Sequence, residues 1–139
     1  MKLLLLCSFV LLCGLTSAMR KQGVGVRGKL LCGTQPLANA KVKIVDTDTG
    51  PDPDDTLDEK TTDSRGHFQL DGTTRELTDI DPVLYIWHDC YDADTPCQRK
   101  VTIKLPKKYI HSGTVENWIE LGEMNMEGHF AEEDRECVH

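Results

Sequence analysis

From residue 23 onward the chain repeats one pattern, short runs in which apolar and polar residues alternate, cut by turn residues. GVGVRGKLLC (23–32) puts Val24, Val26, Gly28, Leu30 and Cys32 on one face, and AKVKIVD (40–46) sets Val42 and Ile44 against Lys41 and Lys43. Such a two-residue period belongs to half-buried strands. GTQPLAN, between these runs, is turn-forming, so the two read as a hairpin. LDEKTT is a short strand, DSRG (63–66) has the composition of a type I turn, and HFQLDG follows with Phe68 and Leu70 inward. TTRELTDIDP is the single candidate for a short helix or an irregular crossover.

PVLYIWHDC reads as a central strand, with Leu84, Ile86 and His88 on one face and Val83, Tyr85 and Trp87 on the other. RKVTIKL (99–105) points Val101, Ile103 and Leu105 in, and Lys100, Thr102 and Lys104 out, until Pro106 ends it. The last strand is VENWIELGEMNM, with Val115, Ile119 and Leu121 inward. The tail EGHFAEEDRECVH is acidic and without sustained period. About seven short strands and at most one short helix predict an all-β, antiparallel β-sandwich.

The N-terminus has a different grammar. Lys2 is followed by an apolar stretch from Leu3 to Leu15 and by small residues, with Thr16 and Ala18 placed for signal-peptidase cleavage. The stretch is shorter than the ~20 residues a spanning helix needs. Residues 1–18 therefore read as a signal peptide and 19–139 as one secreted domain that does not span a membrane. Removing Lys2 leaves 15 basic against 23 acidic residues, a net charge of −8, which argues against nucleic-acid binding.

Cys7 and Cys13 leave with the signal. Cys32, Cys90, Cys97 and Cys137 remain, an even set that reads as two disulfides in an exported chain. Three pairings are open. If Cys90 joins Cys97 across YDADTP, Cys32 is left for Cys137, tying the first strand to the tail. His88-Asp89-Cys90 also has the composition of a thiol nucleophile beside a base, but that chemistry needs a free thiolate, which an oxidised pair does not supply. No C-x-x-C and no histidine pair at ligand spacing supports zinc. Seven acids between Asp46 and Glu59 offer oxygen ligands, yet no register fits the EF-hand loop. No catalytic residue, metal or cofactor is expected.

Charge is patterned. Residues 46–63 carry −7, whereas residues 98–108 carry +5 from Arg99, Lys100, Lys104, Lys107 and Lys108. Lys100, Lys104, Lys107 and Lys108 are candidate binding residues for an anionic lipid headgroup or an acidic extracellular protein.

VRGKLLCGTQPLANAKVKIVD, TTDSRGHFQLDGT, LYIWHDC, KVTIKLPKKYI and WIELGEMNM resemble the nematode transthyretin-like family over roughly residues 24–126. The resemblance implies a secreted, disulfide-bonded sandwich similar to transthyretin. It implies a recognition protein, since some members resemble molecules that bridge exposed phosphatidylserine and a cell-surface receptor. The alternative is a carrier of a small apolar ligand in a transthyretin-type oligomer. A hydrolase ranks third: the Tyr-Arg-Gly-Ser-type ending of the related hydroxyisourate hydrolases is missing here, where the chain ends Arg135-Glu136-Cys137-Val138-His139.

Overall fold

The structure is a computed structural model that describes residues 19–47, 55–92 and 95–139. Residues 1–18, read above as a signal peptide, and the middle of the acidic loop, 48–54, lie outside the described residues. Nine strands fill the rest: β1 (Arg20–Cys32), β2 (Gln35–Pro36), β3 (Lys41–Asp46), β4 (Asp55–Thr61), β5 (His67–Glu76), β6 (Pro82–His88), β7 (Gln98–Lys104), β8 (Ile119–Asn125) and β9 (Glu133–Glu136). A single 3₁₀ turn, Lys107–Tyr109, is the helical element among the described residues.

Two sheets face each other. In one, β1 pairs antiparallel with β5 and, at its end, with β2, and runs parallel to β8. The other has the order β4-β3-β6-β7-β9, every pair antiparallel. Alternate residues of both sheets meet in the core: Val24, Val26, Leu30, Val42, Ile44, Leu70, Leu84, Ile86 and Val101 are fully buried. Each such side chain contributes ~1.5–3 kcal/mol on leaving water. Val24, Val26, Leu30, Val42, Ile44, Leu70 and Val101 match the inward residues read from the sequence, whereas Ile103 and Leu121 are only partly buried and Val115 lies before β8; β6 is central in its sheet.

Several local readings change. The runs 23–32 and 40–46 are not a hairpin. Residues of β1 are paired by β5 and β8, and the GTQPLAN connection carries the chain across to the other sheet, with Gly33 and Asn39 in the left-handed region (φ 66° and 60°). The β8 pairing with β1 is parallel, a departure from a wholly antiparallel sandwich that the long 107–118 crossover permits. TTRELTDIDP begins as the end of β5 and then bends, with no helix. The tail, without sustained period, nonetheless forms β9, an edge strand against β7. An edge strand with one neighbour needs no alternating apolar face, which is why the period is silent.

The DSRG turn forms as expected, and its glycine is required. Gly66 sits at φ +81°, and a Cβ there would lie 2.3 Å from the Leu30 carbonyl oxygen. Asp63 closes the turn by accepting from the amides of Arg65 and His67, both at 2.9 Å.

The disulfides are Cys32–Cys90 and Cys97–Cys137, not Cys90–Cys97 with Cys32–Cys137. The β7–β9 ladder decides one of them. Gln98 pairs with Glu136, so the next antiparallel rung sets Cys97 opposite Cys137. Cys32 ends β1 and Cys90 follows β6 by two residues in the other sheet, with Cα atoms 5.6 Å apart, so their bond closes one end of the sandwich. Peptide mapping without reduction should recover these two pairs and no free thiol. By loop-entropy reasoning, Cys97→Ser with Cys137→Ser should lose roughly 4 kcal/mol. Hydrogen exchange should speed up over 133–136 and much less over β6.

Candidate binding surface

His88-Asp89-Cys90 is a structural corner. Cys90 is buried and bonded to Cys32. The Cys90 amide donates to His88 Nδ1 at 3.1 Å, which fixes the neutral tautomer with the proton on Nε2. His88 is itself buried, and Nε2 has no partner. Burial and the neighbouring Arg99 charge lower its pKa to about 4. With its sulfur in a disulfide, Cys90 offers no thiolate for this histidine to activate.

Arg99 faces His88 across the β6–β7 ladder and is buried too. Its guanidinium donates to the carbonyls of Cys90 (3.0 Å), Met126 (2.8 Å) and Gly128 (2.7 Å), and Nε donates to Glu133. Glu133 also accepts from the Phe130 amide at 3.0 Å. Burial alone would raise the Glu133 pKa, but the bonds from Arg99 and Phe130 outweigh it and hold the carboxyl at about 2. Arg99 thus belongs to the interior and not to the basic face. The signal was present in the sequence, since 99 shares the parity of the inward residues Val101, Ile103 and Leu105.

The four candidate lysines separate into two groups. Lys100 lies on the outer face of β7, 2.8 Å from Glu136 and 4.0 Å from the Tyr85 ring centroid. Lys104, Lys107 and Lys108 sit where β7 ends and the 3₁₀ turn begins. Lys104 is 4.0 Å from Glu132 and Lys107 is 2.9 Å from Asp81, both pairs largely exposed. Lys107 and Lys108 line a cleft of about 820 Å³ together with Arg20 and Lys21 from β1, while Asp79 and Glu116 bring acid to its rim. Arg20 and Lys21, distant in sequence from the basic segment, were not among the residues singled out from it. Lys104 and Lys107 border a smaller cleft of about 360 Å³ that includes Pro82, Val83 and Leu105.

Acids converge elsewhere. Asp46, Asp55 and Glu76 each bring a carboxylate oxygen within 4.8 Å of the others, the set among the described residues with the donor chemistry of a divalent-cation site. Asp46 is buried, and its Oδ1 accepts from the Asp81 amide at 2.9 Å. Glu76 comes from the opposite sheet, beyond the reach of a reading confined to the loop. Asp48, Asp52 and Asp54 lie outside the described residues.

No helix among the described residues is long and apolar enough to cross a membrane. Residues 27–106 match the model described as the transthyretin-like family. Three Caenorhabditis elegans proteins align over nearly the whole chain. Transthyretin-like protein 33 is 48% identical, covering 99% of this chain and 98% of its own length. Transthyretin-like protein 46 is 50% identical over 93% of this chain and 73% of its own. Transthyretin-like protein 5 is 43% identical over 94% and 97%.

The buried corner makes acid stability predictable. An unfolded chain protonates His88 near pH 6.5, whereas the folded one resists until about 4. Stability is therefore lost as pH falls through that window, by up to about 3 kcal/mol. Glu133 adds a second loss of the same sign, from its ordinary value of 4.5 down to about 2. Thermal midpoints measured from about pH 7 to about pH 3 should drop in both windows. A His88→Gln chain should hold steady until the second.

Proposed function

The chain belongs to the transthyretin-like family, and we propose on that premise that it is an extracellular protein that works by binding, with an anionic surface as its target. Family membership and the two disulfides support the extracellular setting, because such bonds persist in oxidising compartments. The observation that carries the reading is the cleft in which Lys107 and Lys108 meet Arg20 and Lys21. Four cations from two distant segments outnumber Asp79, which pairs with Arg20 at 2.9 Å, and Glu116 in the same cleft, so its lining is net positive on a chain whose formal charge is −7. Lys104 extends that end along β7.

The target with matching chemistry is an anionic headgroup such as phosphatidylserine, presented by a membrane that the chain touches without crossing. The ion pairs of Lys104 and Lys107 are exposed and give way readily, since such pairs contribute ~0–1 kcal/mol. Lys100 is set apart by its closer pairing with Glu136.

Liposome co-sedimentation tests the reading. Each lysine near an anionic membrane contributes ~1 kcal/mol. A Lys104→Gln, Lys107→Gln, Lys108→Gln chain should then bind phosphatidylserine vesicles on the order of a hundredfold more weakly, by this scale. Lys100→Gln should change little, and binding should fade with salt because the Debye length is ~8 Å at physiological strength. Equal binding by wild type and triple variant would remove this face from the function. Binding abolished by chelator alone would move the site to the carboxylates.

A further inference from the structure

The outer face of the five-stranded sheet carries a second feature that anion binding at the far cleft does not use. Trp87 points away from the core, yet it is 2% exposed. The register explains part of its cover: Lys41 of β3 and Lys100 of β7 are its direct neighbours on either side. Lys43 completes the ring, so that three ammonium groups stand 5.2, 5.9 and 5.5 Å from the indole centroid (Lys41, Lys43 and Lys100 in turn). Tyr85 extends the aromatic floor, edge-on at 5.6 Å. The remaining cover is His139. The His139 ring lies on Trp87 at 4.5 Å and 9° from parallel, and its Nε2 is 2.6 Å from Gln98 Oε1.

We propose that Trp87, Tyr85, Lys41, Lys43 and Lys100 form a binding site for a small planar aromatic carboxylate, and that His139 is a built-in competitor that occupies it. The ring of the ligand takes the place of the imidazole, and a slot that already holds one flat ring at stacking distance is shaped for another. Its negative charge is set by the rim. Glu59 sits 3.1 Å from Lys41 and 3.9 Å from Lys43, Glu136 sits 2.8 Å from Lys100, and Asp134 lies across the ladder from Lys100, so the three ammonium groups act as hydrogen-bond donors that a ligand carboxylate shares with these acids. Trp87 Nε1 supplies an independent indication. It is buried and has no hydrogen-bond acceptor, a deficit that a carboxylate reaching it would relieve.

Displacement is local. Cys137 is held by its bond to Cys97, Val138 and His139 follow that anchor outside β9, and Val138 is 88% exposed. The arm can lift without releasing β9 from β7.

Ligand-detected NMR titration with 2-naphthoate tests the site, using the full chain and a chain ending at Cys137, each with both disulfides intact. The competitor removed is one stacked pair, so the shortened chain should bind roughly three- to tenfold more tightly. His139→Ala should give the same shift, which covers the case where truncation disturbs the tail. Lys43→Gln in the shortened chain should weaken binding again. Neutral 2-naphthylmethanol and non-aromatic cyclohexanecarboxylate should gain nothing from truncation. Equal affinities of full and shortened chains for 2-naphthoate, or no saturable binding to either, would overturn the proposal. An equal gain for 2-naphthylmethanol would overturn its charge component and leave a plain apolar patch.

Discussion

A buried guanidinium holds the C-terminal third of this molecule in place. Arg99 cannot leave its charge unpaired in the interior, because an isolated buried ion costs far more than a domain's margin of stability. It collects three carbonyls and the Glu133 carboxylate. Those acceptors come from the β6 end, from the turn after β8, and from β9, so satisfying one side chain fixes three segments. Replacing such a pair by apolar groups can be neutral, but removing one partner is costly. The arrangement therefore sets which tail conformation is allowed more than it adds to overall stability.

The disulfides divide that work. Cys32–Cys90 joins the two sheets where the core ends, whereas Cys97–Cys137 extends the β7–β9 ladder by one covalent rung. Charge neutralisation follows from the same pairing. With β9 in register, Asp134 faces Lys100 and Glu133 faces Val101, so the acidic tail covers the half of β7 where Lys100 lies and leaves the Lys104 end more open. The segregation of the lysines into a covered one and an exposed group is thus a product of strand register.

Most of the core was legible because its residues obey one period. Leu84, Ile86, Val101 and Phe68 point where alternation puts them. Long-range choices were not legible. Which sheet β3 joins, and whether β8 runs parallel to β1, depend on crossovers whose local sequence is polar and without period. The disulfide pairing was hidden for the same reason, since it follows from β9, a strand that borrows its order from β7 and Arg99. Arg99 itself was readable by parity but was counted with the surface cations, because a charge is ordinarily placed in water. Trp87 was placed on the face opposite Leu84 and Ile86, without a choice of which face is the outer one. That His139, fifty-two residues on, would cover it lies beyond any local pattern.

The cysteine order has a consequence for biosynthesis. Cys32 and Cys90 emerge in sequence, so the inter-sheet bond can close as soon as β6 is made. Cys97 arrives seven residues after Cys90, but its partner lies forty residues further on. At ~5–20 residues per second that is a wait of roughly two to eight seconds. Through that interval Cys97 is a free thiol beside the newly formed Cys32–Cys90 bond, placed to attack it by exchange. The Arg99 charge is meanwhile without Glu133. A nascent chain that stops before Cys137 keeps Cys97 without its partner and open to exchange with the Cys32–Cys90 bond.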